Sequence, residues 1–175
     1  MKKLSVIIPA FNEEKNIETT ARAVTYLLDK ENIDFELIFV NDGSTDSSWE
    51  ILKMLNKLDK RICAINFSRN FGKEGAIFAG LKEAKGDAII VMDCDLQHPI
   101  ETAVEMYRIW ENNDIEIVEA KKKTRGKESL LYKGFAKMFY SILKSTSGLD
   151  LSGASDFKLL DRQVVDSLLE MPERV

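Results

Sequence analysis

Asp93 and Asp95 close a stretch that leaves the chain little choice of architecture. The preceding run, Ala88-Ile89-Ile90-Val91-Met92, contains no polar residue. A short run of this kind is expected of a strand buried on both faces, the type found inside parallel sheets. Pro99 follows shortly and opens a helix, where its missing N–H costs nothing. The two carboxylates therefore fall at the carboxyl end of an inner strand, where open α/β sheets bind ligands. Their hard oxygens suit Mg²⁺ or Mn²⁺, ions that in turn hold phosphates. An isolated D-x-D pattern equally describes a helix cap or a solvated loop. The weight of the reading comes from the rest of the chain.

Strand and helix patterns alternate from the start. Leu4 to Pro9 reads as a strand and Ile17 to Asp29 as a helix with Ile17, Ala21, Val24, Leu27 and Leu28 on one stripe. Strands follow at Phe35 to Val40, Ile62 to Phe67 and Ile115 to Ala120. Helices are expected after Ser47-Ser48-Trp49-Glu50, which reads as a capping box, and over Gly72 to Ala84 and Pro99 to Glu111. This order predicts an α/β fold with a mostly parallel sheet and right-handed crossovers. Beyond Ala120 the alternation loosens into a basic loop over 121–129 and a helix from Leu130 to Leu143. A short strand around Phe157 to Leu160 and a helix from Arg162 complete the pattern.

At 175 residues the chain fits one domain, 1–175, with no internal repeat or linker. Its net charge of −4 argues against a general nucleic-acid binder. The charge is uneven: from Lys121 to Lys144 there are eight Lys or Arg against one acid, Glu128. Such a patch solvates a face or meets an anionic surface or phosphate. Cys63 and Cys94 fit no metal spacing and read as reduced, buried thiols, with Cys94 packed inward between the two aspartates. No apolar run approaches the length of a membrane span.

Each polar cluster follows a strand: Phe11-Asn12-Glu13 the first, Asp42 the second, Ser68 to Glu74 the third, Asp93 and Asp95 the fourth. Loops after parallel strands share one edge, so these segments should converge. Singly, Asn12 or Asp42 could be a cap or turn former, His98 an N-cap, and Gly72, Gly75 and Gly80 marks of a close helix contact. Phosphate-binding G-x-x-x-x-G-K-[ST] and dinucleotide-binding G-x-G-x-x-G loops are missing. A metal-dependent phosphatase with an aspartyl nucleophile is a rival, but it would place D-x-D after the first strand.

Val6 to Glu14, Val40 to Asp46 and Asp93-Cys94-Asp95 together resemble the inverting family-2 glycosyltransferases. Ser68 to Glu74, Asp95 to Pro99, Asp156 to Arg162 and Met171 to Arg174 narrow the resemblance to the polyprenyl-phosphate hexosyltransferases, among them bactoprenol glucosyltransferases and dolichol-phosphate mannose synthases. The resemblance implies a GT-A-type fold: a Rossmann-like nucleotide-sugar-binding sheet with helices on both faces. It implies a nucleotide-diphosphate-sugar donor, with Pro9, Phe11 and Glu13 bordering the nucleoside and Asp42 accepting a hydrogen bond from the base. Asp93 would lie near ribose and metal, and Asp95 and Gln97 would hold Mg²⁺ or Mn²⁺ on the diphosphate. Arg125 and Ser129, with Lys133 beside them, match positions for the phosphate of a polyprenyl phosphate acceptor, and Asp156 a carboxylate near the reacting centre. Members continue into membrane helices, so the chain is expected to stop short of such an anchor. The longer protein would sit at the cytoplasmic face of a membrane, and a homo-oligomer is compatible with the resemblance. Two other readings stay open: a family-2 transferase extending a polysaccharide at a sugar hydroxyl, and a silent sugar-nucleotide-binding module.

Overall fold

A computed structural model describes residues 2–96, 99–120 and 157–170. In chain order the elements are β1 (Lys3–Ala10), α1 (Ile17–Lys30), β2 (Asp34–Asn41), α2 (Ser48–Leu58), β3 (Ile62–Asn66), α3 (Lys73–Glu83), β4 (Ala88–Val91), α4 (Ile100–Asn112), β5 (Ile117–Glu119), β6 (Lys158–Asp161) and α5 (Arg162–Glu170). Among the described residues the strands form one six-stranded sheet in the order β3-β2-β1-β4-β6-β5. The pairs β1–β2, β1–β4 and β2–β3 are parallel, as expected. β5 does not extend this parallel set; β6 lies between it and β4 and pairs antiparallel with both. The helix expected over Leu130 to Leu143 lies outside the described residues.

Period-2 alternation divides the core. Leu4, Val6 and Ile8 of β1, with Phe35, Leu37 and Phe39 of β2, face one side together with apolar residues of α1, α2 and α4. Ile7, Ile38, Val40 and Ile89 face the other, against Ala76, Ile77 and Leu81 of α3 and Val165 of α5. Helices thus cover both faces, and strands β1 to β4 are mostly apolar, with Ser5 in β1 and Glu36 in β2 as the buried polar exceptions near the amino edge. A Cβ on Gly80 would stand 2.4 Å from Ile7 Cγ2, so this glycine marks the close approach of α3 to β1.

The last two elements are fastened by side chains. Asp161 caps α5 by accepting the Gln163 N–H at 2.8 Å, and its other oxygen accepts Trp110 Nε1–H at 2.9 Å. Arg162 sends its guanidinium to the carbonyls of Ala84 and Gly86 at the end of α3. A cation there complements the negative end of that helix. No helix among the described residues is long and apolar enough to cross a membrane.

The capping box expected at Ser47 does not form. Ser47 stands at the N-cap but its side chain makes no cap bond. Asp46 Oδ1 accepts the Ser48 N–H at 3.0 Å instead, while the Ser47 N–H, which the box would give to Glu50, donates to Glu14 Oε2 at 3.0 Å and Glu50 pairs with Lys53.

At the amino edge of the sheet a buried carboxylate organises the backbone. Ser5 and Glu36 are register partners on β1 and β2. Glu36 accepts Ser5 Oγ–H and the Lys85 N–H, each at 2.6 Å, and pairs with Lys3 Nζ at 3.3 Å. Burial alone would push this carboxyl up; the bonds from Ser5 and Lys85 and the charge of Lys3 outweigh it and hold it below the usual carboxylate range. A depressed carboxylate contributes stability that is present above its unfolded pKa and lost as pH falls. Glu36→Gln should therefore lower the unfolding free energy by about 1–3 kcal/mol at neutral pH. The gap from the parent should close below about pH 4.3, as urea titrations at stepped pH would report.

Candidate active site at the carboxyl edge of the sheet

β1 pairs with β2 on one side and β4 on the other, so the sheet changes winding direction between β1 and β4. That is the switch point at which open α/β sheets leave a crevice. The ladder to β2 runs to Ala10↔Asn41, whereas the ladder to β4 stops at Ile7↔Val91. Ile7 O accepts Met92 N–H and Ala10 O accepts Asp42 N–H, so successive residues of β1 face β4 and β2 in turn. Pro9 faces the β4 side, past the last pair, where no donor is needed. The gap opens there, with Pro9 on one wall and Asp93 and Asp95 following the other.

The loops after β1 and β2 are stapled together. Asn12 Oδ1 accepts the Thr45 N–H at 2.9 Å, and Asn12 N–H donates to Ser44 Oγ at 2.9 Å. Glu13 N–H donates to Ser48 Oγ at 3.0 Å, Glu14 N–H to Asp46 Oδ2 at 3.1 Å, and Ser47 N–H to Glu14 Oε2 at 3.0 Å. Asn12 holds a left-handed backbone, φ 56°, a conformation asparagine tolerates. The motif Asp42-Gly43-Ser44-Thr45-Asp46 therefore spends most of its side chains on a loop platform.

Asp42 is 4% exposed and both its oxygens are engaged. Oδ1 accepts Phe71 N–H at 2.7 Å and Oδ2 accepts Gly72 N–H at 2.9 Å, tying the loop after β3 to β2. A Cβ on Gly43 would lie 2.3 Å from Arg69 C, so only glycine lets that loop pass so close. Phe11 and Phe71, from loops on either side of Asp42, keep exposed rings. The Arg69 guanidinium sits 4.7 Å over the Phe71 ring.

On the β4 side, Cys94 is buried between Asp93 and the exposed Asp95, as expected of an inward-facing spacer. Burial, reinforced by Glu13 and the flanking aspartates, pushes its thiol up to about 12, so it stays protonated. Thr20 Oγ1–H donates to Cys94 O at 2.6 Å, fixing this turn to α1. Leu96, next in line, has φ 56°, which is strained for a bulky residue. Asp93 is ion-paired with Lys73, the first residue of α3. The loops after β3 and β4 thus meet, as their shared edge requires.

Of the residues singled out in the sequence, Pro9, Phe11, Glu13, Asp42, Asp93 and Asp95 all stand at this edge. Gln97, Arg125, Ser129, Lys133 and Asp156 lie outside the described residues, as does His98. β6 antiparallel to β4 brings its first residue, Lys158, to the edge at which β4 ends. Lys73 and Thr20 were missed. Lys73 stood inside a noted stretch, at the first position after a glycine; Thr20, in mid-helix, gives no local signal.

No group of three or more His, Cys, Asp or Glu among the described residues is poised to hold a metal. Asp93 and Asp95 nevertheless suit one, because Mg²⁺ is commonly held by one or two carboxylates and completed by substrate phosphates and water. The Lys73 ammonium against Asp93 indicates that this position takes positive charge.

Residues 5–169 match the family described as Glycosyl transferase family 2. The chain belongs to that family. It is 40% identical over 171 residues to the uncharacterized glycosyltransferase YkcC of Bacillus subtilis (strain 168), covering 97% of this chain and 53% of the relative. It is 37% identical over 173 residues to a prophage bactoprenol glucosyl transferase homolog of Escherichia coli (strain K12), covering 98% of this chain and 56% of that one. The chain spans about half the length of these family-2 relatives. The fold matches the mannosyltransferase PcManGT from Pyrobaculum calidifontis, solved with GDP-Man and Mn²⁺, at a TM-score of 0.65 and 17% identity, over 95% of this chain and 46% of that one. The architecture is that of the GT-A glycosyltransferases.

Thr20→Val should cost about 1–3 kcal/mol of stability by leaving the Cys94 carbonyl unpaired. Thr20→Ser should restore most of it. Urea unfolding of the two variants checks the anchor.

Proposed function

We propose that this family-2 domain transfers a hexose from a nucleotide-diphosphate sugar to a polyprenyl phosphate, inverting the anomeric carbon with the help of Mg²⁺ or Mn²⁺. The observation that carries the reading is the crevice between β1 and β4, with Asp93 and Asp95 on one lip and the stapled platform of the first two loops on the other. It supports a donor laid across the switch point, its nucleoside over Pro9, Phe11 and Glu13 and its diphosphate toward Asp93 and Asp95. Asp42 already accepts two backbone N–H bonds, but a carboxylate has further lone pairs. It can accept a bond from the base without releasing the loop it holds.

The acceptor half of the reading is supported by the likeness to the Escherichia coli bactoprenol glucosyl transferase homolog and by the basic run from Lys121 to Lys144. A phosphate monoester has a second pKa of about 6, so near neutral pH it is already an anionic nucleophile. It needs cations to hold and steer it more than it needs a base. Arg125, with Ser129 and Lys133, takes that role; arginine grips phosphate with two parallel bonds. A phosphate oxygen bonds to the anomeric carbon as the bond from that carbon to the nucleoside diphosphate breaks on the opposite face. Asp156 orients the reacting centre. Asp93, Asp95 and Gln97 would hold the divalent cation, which would supply neutralising charge for the departing diphosphate. The reading locates the reaction at the cytoplasmic face of a membrane, where a lipid phosphate meets a soluble donor.

The test supplies a panel of nucleotide-diphosphate sugars with a short-chain polyprenyl phosphate in detergent micelles. Arg125→Ala should raise the acceptor KM at least tenfold, a change of about 1.4 kcal/mol, and leave donor affinity within twofold. Asp95→Asn should abolish the dependence of donor binding on Mn²⁺ while the protein still unfolds cooperatively, as a thermal-shift series would show. Transfer to a sugar hydroxyl but not to the lipid phosphate, with Asp156→Asn inactive, would instead establish the polysaccharide-extending reading. A carboxylate base for a hydroxyl is worth roughly 10²–10⁴-fold in rate.

A further inference from the structure

Lys73 occupies an unusual place for a lysine. It is the first residue of α3, where the helix presents its positive end and cations are disfavoured. Its neighbour Glu74 is the residue type that position favours. The backbone just before it is not adjustable, because Asp42 holds the N–H groups of Phe71 and Gly72. From that fixed root the side chain reaches out of the loop after β3 to Asp93 at the end of β4, two strands beyond β2 in the sheet. The carboxylate it meets is 16% exposed, while the lysine side chain is 40% exposed. The more buried partner is the one that most needs a counter-charge, and the more exposed partner is the one with room to move.

We infer that Lys73 is a tethered counter-ion that competes with the divalent cation for Asp93 and is handed to the donor's diphosphate when the cation takes its place. The inference rests on the metal-dependent donor reading above and adds a residue to it. Three features of the geometry carry it. The ammonium already sits on the carboxylate that the dication would use. The ammonium hangs on a flexible four-carbon stem. Its root lies on a loop fastened to the carboxylate proposed to meet the base, so the base end and the diphosphate end of the donor site are joined by one short piece of backbone. Cation alone must displace the lysine from Asp93 and brings it no anion in return. Cation with a nucleoside diphosphate gives the displaced ammonium a new anion, so each ligand tightens the other, and by linkage the effect is reciprocal.

The test reads Mn²⁺ binding by water-proton relaxation into the millimolar range, first with Mn²⁺ alone and then with UDP or GDP. Lys73→Gln should bind Mn²⁺ alone roughly three- to tenfold more tightly than the parent, the range open to a partly exposed ion pair plus one removed like charge. The tightening that the nucleoside diphosphate produces should shrink by a similar factor. Lys73→Arg, which keeps the charge, should behave as the parent, and Lys82→Gln, at the far end of the same helix, should change nothing. In an Asp93→Asn background the Lys73→Gln effect should vanish. Unchanged or weaker Mn²⁺ binding by Lys73→Gln overturns the inference and leaves the donor reading standing, as does an equal effect from Lys82→Gln or persistence of the effect without Asp93. Absence of Mn²⁺ binding by parent and variants alike, with and without nucleotide, removes both.

Discussion

Parallel strands deliver all their carboxyl ends to one edge, and the loops that leave them must satisfy one another's backbone groups with side chains. Asp42 carries the greatest share of that task. It is buried at the end of β2, and its two oxygens are the fixed point for the loop after β3. Serine, threonine, asparagine and aspartate in the first two loops do the same for each other. A buried, charge-assisted acceptor of two N–H groups is difficult to replace, since removing it takes the Phe71 N–H from its acceptor and leaves the Gly72 N–H to Asn70 Oδ1. The binding edge is therefore stiff on the β1–β2–β3 side. On the β4 side, Thr20 holds the Cys94 carbonyl and Lys73 pairs with Asp93.

The polar residues of the platform are thus both structural and functional, and neither role excludes the other. Loop residues that hold a scaffold in place are often those nearest a ligand, because a rigid frame positions chemistry better than a mobile one. The same economy explains the strained backbone at Leu96, adjacent to Asp95. The turn is fixed by its neighbours rather than by its own preference.

Much of this was legible in the sequence for local reasons. An apolar run ended by two carboxylates announced β4, and alternating periods announced the first four strands and their helices. The inward Cys94 followed from alternation alone. What escaped was non-local or depended on competing local bonds. The insertion of β6 between β4 and β5 involves partners far apart in the chain, and no periodicity encodes which edge a short strand will choose. The capping box at Ser47 failed because two other carboxylates, Asp46 for the Ser48 N–H and Glu14 for the Ser47 N–H, stood within reach. Lys73 was visible as a residue but not as a contact, since its partner belongs to another crossover. Asp161 and Arg162, which the resemblance drew in as part of a motif, turn out to fasten α5 to α3 and α4. For Gln97, Arg125, Ser129, Lys133 and Asp156 the sequence remains the source of their proposed roles.

The position of β6 carries a consequence for the order in which the molecule can be made. β4 borders the crevice on one side, and on the other, among the described residues, its Ala88, Ile89 and Ile90 are paired by Asp161, Leu160 and Leu159. On a ribosome, the parallel core β3-β2-β1-β4 emerges complete long before those partners do. Until they arrive, β4 presents an apolar rim of unpaired backbone, the kind of edge that invites another chain to pair with it. The last of the described strands is thus the one that shields β4, and a nascent chain halted before it would be a candidate for chaperone capture.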